Sequence, residues 1–166
     1  MAHEPLDALK EAIMLERRGR AFYQQVATQS QHAAVREFFE TMAEEEARHI
    51  AVLGDQYKSV AQGGRFVALD PSDTGTQPLA EVILSSELKQ RIASAEYEAA
   101  AVSAAVLMEE KAIATYERCA AEATDLGEKA LFKWLARWEQ GHLSFLAGLE
   151  REIKERLWHD SHFWPT

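Results

Sequence analysis

Six residues in this chain are of types that ligate divalent metals, and they form one pattern written twice. Glu16 is followed by Glu46-x-x-His49, and Glu109 is followed by Glu139-x-x-His142. The two copies keep one offset, since 109−16, 139−46 and 142−49 all give 93. Tyr23 and Tyr116 share that offset, as do Phe39 and Phe132. Aligning residues 9–54 on 102–147 gives ten identities in 46 positions, five of them Glu, His, Tyr or Phe, so the duplication is concentrated where chemistry is possible. A lone Glu-x-x-His in an acid-rich helix is more often a solvated pair. Two in phase, each with a glutamate 30 residues before it, point instead to metal ligation. Carboxylates with one imidazole per copy suit iron or manganese.

Helical periodicity supplies the scaffold for these residues. The four prolines fall at 5, 71, 78 and 165, outside every long periodic segment. The pattern predicts a first helix from about Pro5 to Thr28, with Pro5 suited to the first turn. A second runs from about Ala33 to Val60. The stretch from Gln62 to Gln77 is rich in Gly, Pro, Asp and Thr and breaks the chain between the copies. Pro78 opens a shorter helix to about Ile92. A third long helix covers roughly Ala95 to Ala123. The fourth starts near Asp125, whose spacing to Glu128 fits a capping box, and continues to about Leu157. Short joints within each copy and one long crossover between them predict a single all-α domain over 1–166, a four-helix bundle of two helical hairpins with an extra short helix.

On a helix, positions three apart share a face, so Glu46 points with His49 and Glu139 with His142. Glu16 and Glu109 fall within the apolar stripes of their helices. Four inward carboxylates would repel one another, and an unpaired buried carboxylate is costly. Two divalent cations answer that problem. Glu44, Glu45 and Glu110 lie one or two positions off the face and read as solvated surface acids. Tyr23 and Tyr116 each follow their glutamate by nearly two turns, as core aromatics or as donors that orient a ligand carboxylate. Gly19 and Ala112, three residues after those glutamates, either leave room for a substrate or permit close helix packing. Cys119 reads as a small core residue, and His3 and His32 carry no signal. The tail WHDSHFWPT, with His159 and His162, is a weak metal site; its aromatics read as packing against the bundle or a partner subunit.

Composition excludes several classes. A net charge of −9 argues against a nucleic-acid partner. No apolar run approaches the roughly 18 residues of a membrane span. The first twenty residues lack a basic stretch followed by an uninterrupted apolar one, and the single cysteine excludes an internal disulfide. Both fit a cytoplasmic protein.

The segments AIMLERRGRAFYQQVA, MAEEEARHIAVL, AVLMEEKAIATYERCA and LARWEQGHLSFL resemble the rubrerythrin-like, di-iron branch of the ferritin-like superfamily over nearly the whole chain. The resemblance implies a ferritin-like bundle with two Fe ions, Mn or Zn being possible substitutes. Glu46 and Glu139 would bridge them, Glu16 and Glu109 would be terminal carboxylates, and His49 and His142 would bind one ion each. It further implies an oxidoreductase that reduces hydrogen peroxide or dioxygen. Rubrerythrins proper carry a rubredoxin-like domain with paired Cys-x-x-Cys; one cysteine cannot supply it, so electrons would come from an external donor protein. Their extra glutamate one turn beyond the third-helix ligand is Ala112 here, which makes the site look symmetric. That symmetry is similar to bacterioferritin, but Ala47 stands where its haem-ligating methionine is expected. The long insert around 58–92 is unlike a cage-forming ferritin. The alternatives are a ferroxidase for iron storage or buffering, a bundle holding metal only for stability, and an oxygenase. A homodimer is the expected assembly.

Overall fold

The computed structural model describes residues 3–73 and 85–159, which form five helices and no strand. The helices are α1 (Pro5–Gln29), α2 (Ala33–Gly63), α3 (Ser86–Ser94), α4 (Glu96–Glu122) and α5 (Leu126–His159). Five of these boundaries have a visible local cause. Pro5 sits in the first turn of α1, where its missing N–H is not needed. That helix ends at Ser30, whose backbone N–H and hydroxyl both bond the Val26 carbonyl. The α2 helix stops at Gly64, whose φ of 67° lets its N–H reach the Val60 carbonyl. The Ser85 hydroxyl accepts the Leu88 N–H and starts α3. The Asp125 carboxylate accepts the N–H groups of Gly127 and Glu128 at 2.7 and 3.0 Å and starts α5. Only that half of the expected capping box forms: the Glu128 side chain turns inward, fully buried, and meets His3 Nε2 at 2.5 Å.

The three-residue joint 30–32 folds α1 against α2, and the joint 123–125 folds α4 against α5. These are the two predicted hairpins, and α1 also packs on α4. The short helix ends two residues beyond its predicted limit at Ile92, and the expected start at Pro78 lies outside the described residues. Its buried Leu88 and Ile92 pack onto the end of the bundle formed by α4 and α5. The residues after α2 are tied back by Gln56, whose amide pairs with both the N–H and the carbonyl of Val67 at 2.9 Å. Gly127 is needed there: a Cβ on it would stand 2.8 Å from Phe66 Cβ.

The core divides into two apolar clusters, and each long helix contributes to both. One contains Val26, Phe38, Phe39, Met42, Val102, Leu146 and Leu149. The other contains Leu9, Leu53, Cys119, Leu131, Phe132, Leu135 and Trp138. Along α1 the order is Leu9, Glu16, Val26; along α2 it is Met42, Glu46, Leu53; α4 and α5 repeat it with Glu109 and Glu139. The polar layer therefore sits at mid-length between two packed aliphatic and aromatic layers. Among the described residues, no helix is long and apolar enough to cross a membrane.

Candidate metal centre

The six residues singled out by the repeat come together in that layer, and each is at most 3% exposed. Glu16 comes from α1, Glu46 and His49 from α2, Glu109 from α4, and Glu139 and His142 from α5. Their ligand atoms fall into two groups, each spanning no more than 4.8 Å: Glu16, Glu46, His49 and Glu139 in one, Glu46, Glu109, Glu139 and His142 in the other. Glu46 and Glu139 belong to both. Both imidazoles turn Nδ1 inward. His49 Nδ1 lies 3.1 Å from Glu16, 3.0 Å from Glu139 and 3.9 Å from Glu46. His142 Nδ1 lies 2.9 Å from Glu139, 3.4 Å from Glu46 and 3.5 Å from Glu109.

The tyrosines cross between the hairpins. Tyr23, on α1, donates its hydroxyl to Glu109 Oε1 on α4, and Tyr116, on α4, donates to Glu16 Oε1 on α1. Each therefore serves the other copy's glutamate, although the sequence spacing associates it with its own. The rings are braced in the same way on both sides, Tyr23 stacking on Phe39 and Tyr116 on Phe132 with centroids 6.4 and 6.1 Å apart.

A family model matches residues 7–150, and the family is rubrerythrin. The chain belongs to the rubrerythrin family. Its members are di-iron carboxylate proteins with a ferritin-like helical bundle, the architecture formed by α1, α2, α4 and α5. Comparison with curated proteins and with solved structures gave no significant match.

The donors fit the iron pair that the family binds. Each group offers carboxylate oxygens and one inward imidazole nitrogen, and two carboxylates are placed to serve both ions. Glu139 Oε1 is buried without a hydrogen bond although His49 Nδ1 is 3.0 Å away, so this oxygen faces the cluster with its lone pairs unused. Glu16, Glu46, His49 and Glu139 would hold one ion, and Glu46, Glu109, Glu139 and His142 the other.

The protein's own charges show what the ions have to displace. Burial, then the carboxylates of Glu16 and Glu139, raises the Glu46 carboxyl well above its usual range. Burial and Glu139 raise Glu109 to about 8, against the opposing pull of His142. Burial alone would depress the two imidazoles, but the surrounding glutamates outweigh it, lifting His49 to about 10 and His142 well above the ordinary value. Glu139, between both imidazoles, is held well below the usual carboxylate range even though burial pushes it up. Burial and the adjacent carboxylates raise both tyrosines, so their hydroxyls remain donors.

A cavity of about 210 Å³ opens onto Glu16, Glu46, Glu109 and Glu139. Its walls keep the repeat's pairing: Leu15 with Met108, Gly19 with Ala112, and Arg18 with Lys111, each pair 93 apart. The carboxylates are buried whereas Arg18 and Lys111 are exposed, which places the two cations at the outer end. A Cβ on Gly19 would stand 3.5 Å from the Glu46 carboxyl carbon, in ordinary contact. Gly19 and Ala112 thus border space beside the carboxylates.

One expectation is overturned. Glu44 and Glu110 are exposed, as a solvated acid should be, but Glu45 is 4% exposed and its Oε2 lies 2.5 Å from His142 Nε2. The reason is that α2 is covered on two sides. Glu46 faces α1 and the cluster, while Phe38, Met42, Glu45, His49 and Gln56 form a second stripe, all buried. Glu45 steps three residues from Met42 and four to His49, so the signal was present in that second stripe. His3 was also missed. It reaches Glu128 at 2.5 Å and Glu122 at 3.4 Å, and the Glu128 contact is the main cause of its raised pKa. Cys119 is buried in the core as expected, with burial lifting its thiol to about 11. Trp158 is 62% exposed near the end of α5, and His159 is exposed; His162, Phe163 and Trp164 lie outside the described residues.

Proposed function

We propose that this protein is a non-haem di-iron oxidoreductase that reduces hydrogen peroxide, or dioxygen, with electrons from an external donor protein. The observation that carries this reading is the cavity leading from Arg18 and Lys111 to the four carboxylates. Neither cation forms an ion pair with a described residue, so both charges face solvent at the opening. Like charge disfavours entry of free Fe(II) by this route and leaves it open to a small neutral or anionic reactant. A ferroxidase fed by free Fe(II) needs the opposite sign there. The mostly apolar wall of Leu15, Met108, Gly19 and Ala112 limits the water that accompanies the reactant.

Two ferrous ions bound by these residues would supply two electrons, which with two protons convert one hydrogen peroxide to two waters. The chain's own part is to hold four carboxylates and two Nδ1 atoms in place, with Tyr23 and Tyr116 fixing the two terminal carboxylates. The one cysteine of these 166 residues is buried in the core, and an external donor protein is proposed for re-reduction. A homodimer is proposed for the assembly, motivated by the prevalence of two-fold oligomers and by exposed Trp158.

The deciding experiment mixes anaerobic Fe(II)-loaded protein with hydrogen peroxide or with dioxygen in a stopped-flow instrument. Faster oxidation by peroxide, without a soluble mineral when Fe(II) is in excess, is the expected result. Rapid oxygen-driven oxidation of excess Fe(II) into a mineral, with no faster peroxide reaction, would establish the ferroxidase reading instead.

A further inference from the structure

The two metal positions are not equivalent, and the difference lies behind the histidines. In the repeat, Glu45 corresponds to Trp138, since 138−45 is 93. Glu45 meets the outward nitrogen of His142, Oε2 to Nε2 at 2.5 Å, with both side chains buried. Trp138 instead packs its ring edge-on against His49, centroids 5.3 Å apart, and Trp134 does the same at 5.7 Å. His49 Nε2 is buried and has no hydrogen-bond partner in the protein. It borders a cavity of about 30 Å³ that Glu45, Arg48, Asp73 and Trp134 also line, and none of them makes a direct hydrogen bond to this nitrogen. Glu45 Oε1 and Trp134 Nε1 are likewise buried without partners. A cavity of that size has room for a water able to bridge such atoms, so His49 has at best an indirect partner where His142 has a carboxylate.

We infer that Glu45 is a positioning residue that makes the Glu109–His142 metal position tighter than the Glu16–His49 position. The inference rests on the metal reading proposed above. An imidazole that binds metal through Nδ1 must carry its proton on Nε2, and a carboxylate accepting that proton fixes the tautomer, holds the ring and raises its basicity. His142 has this support and His49 does not. Loss of such a partner typically lowers metal affinity by about 10–100-fold, which is the expected difference between the positions.

Anaerobic Co(II) equilibrium dialysis of single-histidine variants tests it, because a pair of ions would otherwise repel and blur the two affinities. The His49→Ala variant retains the His142 position, and His142→Ala retains the His49 position. Adding Glu45→Ala should weaken Co(II) binding by about 10–100-fold in the first background and by less than about 3-fold in the second. Glu45→Gln, which keeps an oxygen for the Nε2 proton, should recover most of the loss. Equal losses in both backgrounds, or none in either, would overturn the inference. If the parent binds no Co(II) at all, the metal reading falls and the inference with it. A second measurement needs no variant: imidazole NMR of the Zn(II)-loaded parent should show one strongly hydrogen-bonded Nε2 proton, from His142. Two equivalent Nε2 protons would count against it.

Discussion

The hydroxyl of Tyr23 donates to Glu109 Oε1 across 2.5 Å, joining the first hairpin to the terminal carboxylate of the second. The contact holds in place an oxygen that also lies 3.5 Å from His142 Nδ1. Tyr23→Phe removes the donor while keeping the ring that stacks on Phe39. Affinity at the Glu109–His142 position should fall about 10–100-fold, with helical content retained by circular dichroism. Anaerobic Co(II) titration reads the first quantity, and unchanged affinity would show that the tyrosine serves packing alone. Tyr116→Phe should act on the Glu16–His49 position in the same way.

Glu46 and Glu139 serve both groups, whereas Glu16 and Glu109 each serve one. Glu46→Ala or Glu139→Ala should therefore abolish paired loading, while Glu16→Ala should leave one ion bound. Anaerobic Fe(II) titration gives the stoichiometry. A Glu46→Ala protein that still takes up two equivalents would rule out bridging.

Metal-free protein should be most stable in mild acid. Glu109 is raised from 4.5 to about 8 and His49 from 6.5 to about 10, so the native state binds more protons than the unfolded one. Their contributions are complete below 4.5 and 6.5 respectively, and are lost as pH rises through about 8 and about 10. Glu139 is depressed and has the opposite sign, its contribution being lost only as pH falls below 4.5. The maximum should lie near pH 5, with Tm falling several degrees by pH 9, at about 2–4 °C per kcal/mol for a chain of this size. Melting curves of chelated protein across that range test it; a Tm that rises from pH 5 to 9 would contradict it. By the same titrations, metal loading near neutral pH should release more than one proton per ion, measurable by calorimetry in buffers of different ionisation enthalpy.

Reversing the charge at the cavity mouth should alter metal entry. Arg18→Glu with Lys111→Glu should speed Fe(II) uptake by about 10-fold at low ionic strength, and the gain should shrink as salt is added. Stopped-flow uptake under anaerobic conditions measures it. No change in rate would mean that ions enter elsewhere.

Gly19 is the one wall residue whose replacement should help folding. A Cβ there makes ordinary contact with Glu46, and a helical glycine costs roughly 0.5–1 kcal/mol relative to alanine. Gly19→Ala should raise Tm by about 1–4 °C while keeping metal stoichiometry. A loss of paired loading would show that the space beside Glu46 is required.

Much of this was legible in the sequence because two periodicities coincided. The offset of 93 identified Glu16, Glu46, His49, Glu109, Glu139 and His142 as equivalent pairs, and the 3.6-residue period put each pair on an inward face. Glu45 escaped because a helix in a bundle can bury two stripes, and Glu45 was read only as lying off the face that carries Glu46 and His49. The crossing of the tyrosines escaped for a different reason: spacing along a helix shows which way a side chain points, not which neighbouring helix lies there. The symmetry suggested by Ala112 holds for the ligands and the cavity wall but fails behind the histidines, where Glu45 and Trp138 differ. The His3–Glu128 contact joins residues 125 apart, and no local pattern encodes it.

Neither metal position can be assembled from a single hairpin. The Glu16–His49 group borrows Glu139 from α5, and the Glu109–His142 group borrows Glu46 from α2. A half-length chain carrying one copy would thus reach a complete ligand set only by pairing with another such chain. The covalent crossover turns what would be a concentration-dependent encounter between two halves into an intramolecular one. Once the halves are joined, each is free to change alone, and a glutamate in one can stand where the other has a tryptophan.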